Sequence, residues 1–151
     1  MLGLSSRGLV IASLLMFSAA TPATTLLSKT SWPGFVMPEY ALQTTCTLDD
    51  QGIVTIKTQI NGLSAKKIIP GQFAIPSIRK KIAESVSGNI KKPDMIIADL
   101  PSTVYSAYHK QSNGKIATVF LYEDNGKQEQ NSYNESPGAT SLRIFLNAIC
   151  K

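Results

Sequence analysis

The sequence predicts an α+β domain: an antiparallel sheet of about five strands in the order β-β-β-α-β-β-α, with the C-terminal helix packed on one face and one disulfide. Three observations lead there. Residues 39–60 alternate apolar and polar side chains and run into Asn61-Gly62, the pair preferred in a two-residue primed turn. Residues 136–149 place Leu142, Phe145, Leu146 and Ile149 at helical spacing behind Ser136-Pro137. The chain has two cysteines, Cys46 in the first predicted strand and Cys150 at the end of the last helix.

The first twenty residues hold a single charge, Arg7, then an apolar run over 8–17 and the small residues Ser18, Ala19 and Ala20. That layout predicts a signal peptide over 1–20, cleaved after Ala20 or Ala23. The apolar run is about half the roughly twenty residues that a membrane-crossing helix needs. The first cysteine, Cys46, lies too far on for a lipid-modified N-terminus. An exported chain is expected, periplasmic or secreted, with no transmembrane segment once the signal is removed. Its net charge falls from +5 to +4 with the loss of Arg7. Residues 21–38 mix Thr, Ser, Pro and Gly with Trp32, Phe35, Val36 and Met37 without a sustained period, and predict a flexible leader. Trp32 and Phe35 are expected to tuck onto the domain. The remainder, 39–151, has the size of a single domain with one core.

Within that domain, Tyr40, Leu42, Thr44, Cys46 and Leu48 share the inward side of a first strand. The turn residues Asp49-Asp50-Gln51-Gly52 lead to a second strand over 54–60, and Asn61-Gly62 to a third over 63–69. Pro76 suits the first turn of a helix, Ile78, Ile82 and Val86 form its stripe, and Gly88-Asn89 predicts a left-handed stop. Residues 103–110 and 115–122 are rich in Val, Ile, Thr, Phe and Tyr and are joined through Ser112-Asn113-Gly114, which repeats the primed-turn signal. The polar stretch 123–135 predicts an exposed, mobile loop before the last helix.

An even cysteine count in an exported chain predicts a Cys46–Cys150 bridge, two free or intermolecular thiols being the alternative. The terminal helix must lay its apolar stripe on a sheet face. Cys150 reaches Cys46 when that face is the one carrying Leu42 and Leu48.

Cys46 with Asp50-Gln51-Gly52-Ile53-Val54-Thr55-Ile56, Asp99-Leu100-Pro101-Ser102-Thr103-Val104-Tyr105-Ser106-Ala107-Tyr108, and Leu142-Arg143-Ile144-Phe145-Leu146 running to Cys150 form a partial pattern across most of the mature chain. In these segments the chain resembles a loose set of uncharacterised small exported proteins of predatory Gram-negative bacteria. The resemblance implies a frame of strands with a disulfide and carries no activity. The stretch around Trp32 lies outside it.

No catalytic or metal-binding motif stands out, and no cofactor is expected. His109 is the single histidine, so one chain cannot build a two-histidine acid–base pair or a histidine-based zinc site. There is no nucleophile elbow, phosphate-cradling loop or His-Glu-x-x-His. A carboxylate pair could still cleave a glycosidic bond, and the candidates are Asp49, Asp50, Asp94, Asp99, Glu123 and Asp124. Charge supplies one asymmetry. Residues 57–92 hold eight Lys and Arg against the single acid Glu84, net +7. Lys66, Lys67, Arg79, Lys80, Lys81, Lys91 and Lys92 could therefore face an anionic surface.

Three functions are compatible with this sequence. The first is a noncatalytic binding protein, such as an inhibitor or adaptor, meeting an unknown protein partner through an open sheet face or loop 123–135. The second is attachment to an anionic surface (lipopolysaccharide, phospholipid or nucleic acid) through those seven basic residues. The third is a small carboxylate-dependent hydrolase.

Overall fold

The computed structural model describes residues 22–94 and 100–151. The predicted signal peptide and Asp99 lie outside them. Eight strands form one antiparallel sheet: β1 (Thr25–Trp32), β2 (Gln43–Asp49), β3 (Ile53–Ile60), β4 (Leu63–Pro70), β5 (Ile90–Lys91), β6 (Ser102–Lys110), β7 (Ile116–Asp124) and β8 (Ser132–Asn134), in spatial order β4-β3-β2-β1-β6-β7-β8-β5. Helices α1 (Ile75–Val86) and α2 (Pro137–Ile149) pack on each other and on one face. The α+β class, antiparallel sheet and C-terminal helix stand as expected. The strand count does not, because β1, β5 and β8 join the five.

β1 corrects the flexible leader expected over 21–38. It lies between β2 and β6 and is the ladder that joins the two halves of the sheet. A bulge between Thr25 and Leu27 sends the consecutive Leu26 and Leu27 both into the core. Lys29 then occupies an inward position opposite Cys46 and Tyr105, with its ammonium led out to Asn147 Oδ1 at 2.9 Å. Two adjacent leucines and an inward lysine erase the period of two.

The first strand also starts later than expected. β2 begins at Gln43, and Tyr40 and Leu42 are exposed; Cys46 and Leu48 do face inward. Between β3 and β4, Asn61 at φ 46° and Gly62 at φ 75° form the expected primed turn. The β6–β7 turn differs. Gly114 is left-handed (φ 80°) but Asn113 is not, and Gln111 pairs with Lys115 across the turn. A single left-handed glycine after an ordinary turn closes this hairpin.

In α1, Ile78, Ile82 and Ser85 are buried, whereas Val86 is exposed. The stripe shifts because the helices approach closely at Gly138, where a Cβ would stand 2.5 Å from the Lys81 carbonyl and 2.9 Å from Ser85 Oγ. A small residue is needed there. Gly88 has no left-handed φ, so it is no left-handed stop; a side chain at Gly88 would strike the Asn134 amide. α2 begins as expected, with Ser136 Oγ accepting from Ala139 N at 3.1 Å. At its other end Cys150 is bonded to Cys46, bridging 104 positions of sequence.

The stretch 123–135, expected to be an exposed mobile loop, is instead knitted down. It contains a 3-10 turn (Gln128–Gln130) and β8. Asn125 Nδ2 donates to the Gln130 carbonyl at 2.9 Å, and Asn131 Nδ2 donates to Tyr122 Oη at 2.7 Å. Asn125, Gln130, Ser132 and Asn134 are buried. Polar composition predicts solvent exposure, but these amides satisfy buried polar groups.

A candidate apolar docking end on the sheet

The inward face is covered by helices; among the described residues no helix packs on the opposite face. Strand registers set two cross-strand rows on that open face. One runs Lys66, Lys57, Thr45, Thr30, Val104, Glu123, and the other Ile68, Thr55, Thr47, Ser28, Ser106, Phe120. Hydroxyl side chains therefore line the middle of the face. Ser28 Oγ meets Tyr108 Oη at 3.2 Å.

At one end of the sheet the character changes. β1 ends at Trp32, loop 33–42 returns the chain to β2, and the β3–β4 turn lies alongside, since Gln43 pairs with Gln59 and Ile60 with Leu63. Eight large apolar residues are exposed there: Trp32, Phe35, Val36, Met37, Tyr40, Leu42, Ile60 and Leu63. Phe35 is 86% exposed, Leu63 72% and Trp32 42%. This corrects the expectation that Trp32 and Phe35 tuck onto the domain. The loop is braced by its own backbone: Gly34 takes φ 78°, and in the 3-10 turn Pro38–Tyr40 the Tyr40 N–H donates to the Met37 carbonyl at 2.8 Å. Such a concentration of apolar surface marks a contact site, whereas scattered single residues do not. Its sequence signal is a run of large apolar residues without a period between Pro33 and Leu42. Apolar residues without a period share no face on which to be hidden.

The seven basic candidates do not form one face. Lys66 and Lys67 are on β4, at one edge of the sheet; Lys91 is on β5, at the other, with Lys92 beside it. Seven strand spacings separate these edges, on the order of 30 Å. Lys66 and Lys67 sit mid-strand on an uncovered edge, where lysines discourage pairing with another chain. Arg79 Nη2 is 3.5 Å from Asp50 Oδ2. Lys80 is exposed on α1, Lys81 borders a groove between the helices, and Lys91 Nζ lies 5.9 Å from the centre of the Tyr133 ring.

The carboxylates are scattered too. Asp49 Oδ1 accepts from the N–H groups of Gln51 and Ile53, and Asp50 Oδ1 from Thr24 N, so both brace the β2–β3 turn. Glu123 and Asp124 are consecutive on β7 and project to opposite faces. Asp94 follows the edge strand β5. No cluster of three or more His, Cys, Asp or Glu that could hold a metal occurs among the described residues. His109 faces Ala117 and lines a cavity of about 230 Å³ with Arg79, Ile82, Tyr108 and Lys110.

Among the described residues two titrating groups are shifted, both beneath the C-terminal part of α2. Burial lowers the Lys29 ammonium from its ordinary value. Burial raises the Tyr105 phenol, opposed by its hydrogen bond to Asn147 Oδ1 at 2.8 Å and reinforced by Asp124. Both side chains bond Asn147 of α2 and so help to dock the helix on the sheet. A separate apolar groove of about 310 Å³ lies between the helices, lined by Phe73, Ile78, Leu142 and Phe145 with Lys81 at its margin. No protein-family model, curated protein or solved structure matches the chain.

Proposed function

We propose that this chain is an exported, noncatalytic binding protein that engages its target through the apolar end of the sheet formed by loop 33–42 and the β3–β4 turn. The observation that carries this reading is the gathering of eight exposed large apolar residues at one end of the domain. An exposed Phe35 has an unfavourable contact with water that only an occupant removes. Export is supported by the composition of residues 1–20 and by the Cys46–Cys150 disulfide, a bond that persists in oxidising compartments.

Of the carboxylate candidates, Asp49 and Asp50 are engaged in bracing a turn and Glu123 and Asp124 face opposite ways, and the seven basic residues are divided between the two edges of the sheet and α1. Loop 123–135 is pinned by its buried amides, whereas loop 33–42 presents its apolar side chains to solvent. The test places a photo-reactive benzoyl-phenylalanine at Phe35, or at Lys80 on α1 as the control, in cells that make the protein. Adducts from position 35 and none from position 80 are the expected result. A loop that yields no adduct under irradiation sinks the proposal.

A further inference from the structure

We infer that the occupant of this apolar end is a lipid bilayer surface, with the loop 33–42 dipping into the interface and neighbouring lysines meeting anionic headgroups. The inference rests on the binding role just proposed and names its partner. Three observations carry it.

The first is composition. Trp32 and Tyr40 have amphipathic rings of the kind that settle at the headgroup level, while Phe35, Met37, Leu42 and Leu63 are purely apolar and reach further from water. The second is backbone economy. Pro33 and Pro38 have no N–H to desolvate, and the N–H groups of Tyr40, Ala41 and Leu42 are already bonded within the loop. Each donor absent or satisfied lowers the cost of entering an interface, and the N–H groups of residues 34–37 and of Glu39 are left to headgroups and water.

The third is charge. Lys57 and Lys66 face each other on β3 and β4, one to two turns of the strand pleat behind the tip, and Lys67 borders a cavity with Lys151. Glu39 is the acid of the loop, Glu123 and Asp124 lie at this end of the sheet but on β7, on the side of β1 away from these lysines, and Asp49 and Asp50 lie at the far end of β2. A cationic collar behind an apolar tip complements an anionic bilayer, whose surface attracts such lysines within a Debye length. No helix among the described residues is long and apolar enough to cross a membrane, so the attachment proposed is peripheral. A second copy is a poorer occupant for the adjoining edge: antiparallel pairing of β4 with itself about its middle would bring Lys66 and Lys67 of the two chains face to face.

Trp32 is the only tryptophan of the chain and reports directly from the proposed contact. The mature protein is titrated with vesicles of phosphatidylcholine alone and of phosphatidylcholine with phosphatidylglycerol. Trp32 emission should move to the blue, more strongly with the anionic vesicles, and be quenched by lipids brominated near the headgroup. Phe35→Ser with Met37→Ser should weaken partitioning about tenfold or more. Lys57→Gln, Lys66→Gln and Lys67→Gln together should abolish the preference for phosphatidylglycerol and leave binding to phosphatidylcholine unchanged. All these side chains are at least half-exposed or at the surface, and matching far-ultraviolet circular dichroism and thermal melting would confirm that the variants fold. No change in Trp32 emission with either vesicle, or equal binding by the Phe35→Ser, Met37→Ser variant, overturns the inference. If vesicles fail while benzoyl-phenylalanine at position 35 captures a protein, the lipid assignment falls and the docking end stands. If both fail, the docking end falls too.

Discussion

Asn134 should be among the most costly polar side chains to remove from this fold. It is buried, and its Nδ2 donates to the carbonyls of Ser85 at 2.9 Å and Phe120 at 3.0 Å while its Oδ1 accepts from Ser136 N at 3.0 Å. One amide thus joins the last turn of α1, strand β7 and the start of α2. Asn134→Ala strands the Ser136 N–H and takes a donor from the Phe120 and Ser85 carbonyls, the latter keeping the Gly88 N–H at 3.3 Å; a buried group left without a partner costs about 1–3 kcal/mol. A cavity of about 90 Å³ beside Asn134 can admit water and relieve part of this. The expected loss is therefore about 3 kcal/mol. Asn134→Asp is the sharper test, since it keeps the shape and the acceptor for Ser136 but aims an oxygen at two carbonyl oxygens. Burial and those carbonyls disfavour its charge, so its folded pKa rises above the ordinary carboxylate value. A raised folded pKa means that the protonated form favours folding. The variant should accordingly gain stability relative to Asn134→Ala as pH falls through that raised value, and lose it again as pH rises. Urea unfolding followed by Trp32 fluorescence and circular dichroism, at neutral and mildly acidic pH, measures both. A loss below about 1 kcal/mol for Asn134→Ala, or an Asn134→Asp variant indifferent to pH, would refute this account of the knot.

Four other outcomes are expected. A chain beginning at Glu39 should not fold, because β1 joins the β2–β4 and β6–β8 halves of the sheet; native-like circular dichroism from that chain would contradict the central placement of β1. Cys46→Ala with Cys150→Ala should lower unfolding free energy by about 4–5 kcal/mol, the chain-entropy value for closing a loop of this length, read from urea midpoints. Lys29 has a folded pKa below its unfolded value, so the unfolded chain binds more protons between the two and stability should rise with pH through that window. Lys29→Met should remove this rise, measured below the range where Tyr105 ionises. Lys66→Val with Lys67→Val should promote self-association through β4, visible by light scattering, if those lysines guard the edge.

Periodicity made most of the framework legible. β3, β4, β6, β7 and both helices follow from alternation, turn residues and helix starts, and the disulfide follows from export and an even cysteine count. The losses have physical causes. β1 carries a bulge and an inward Lys29, so its core face reads as polar. β8 and the 3-10 turn before it are held by Asn125, Asn131 and Asn134, whose partners lie on β7, α1 and the turn itself, and no local pattern reveals that an amide will be buried. Val86 loses its place on the stripe to Ser85 because Gly138 of α2 needs a small neighbour, a fact of tertiary approach.

The candidate site was the least legible part, for a reason that follows from how sequences are read. Amphipathic periods identify apolar residues that the protein hides from water, while a docking end is made of those it does not. Tyr40 and Leu42 fit the alternation that continues into Cys46 and Leu48, and so look like core. The strand nevertheless begins only at Gln43, and the 3-10 turn just before it diverts both side chains outward. Likewise the count of lysines over 57–92 is a property of the chain, whereas a basic face is a property of the sheet order. With β4 and β5 at opposite edges and Arg79, Lys80 and Lys81 on α1, the lysines nearest the apolar tip are Lys57, Lys66 and Lys67. The positive charge over 57–92 is thereby dispersed: Lys66 and Lys67 lie on the β4 edge, Arg79 pairs with Asp50, and Lys57 stands beside Lys66 behind the exposed apolar end.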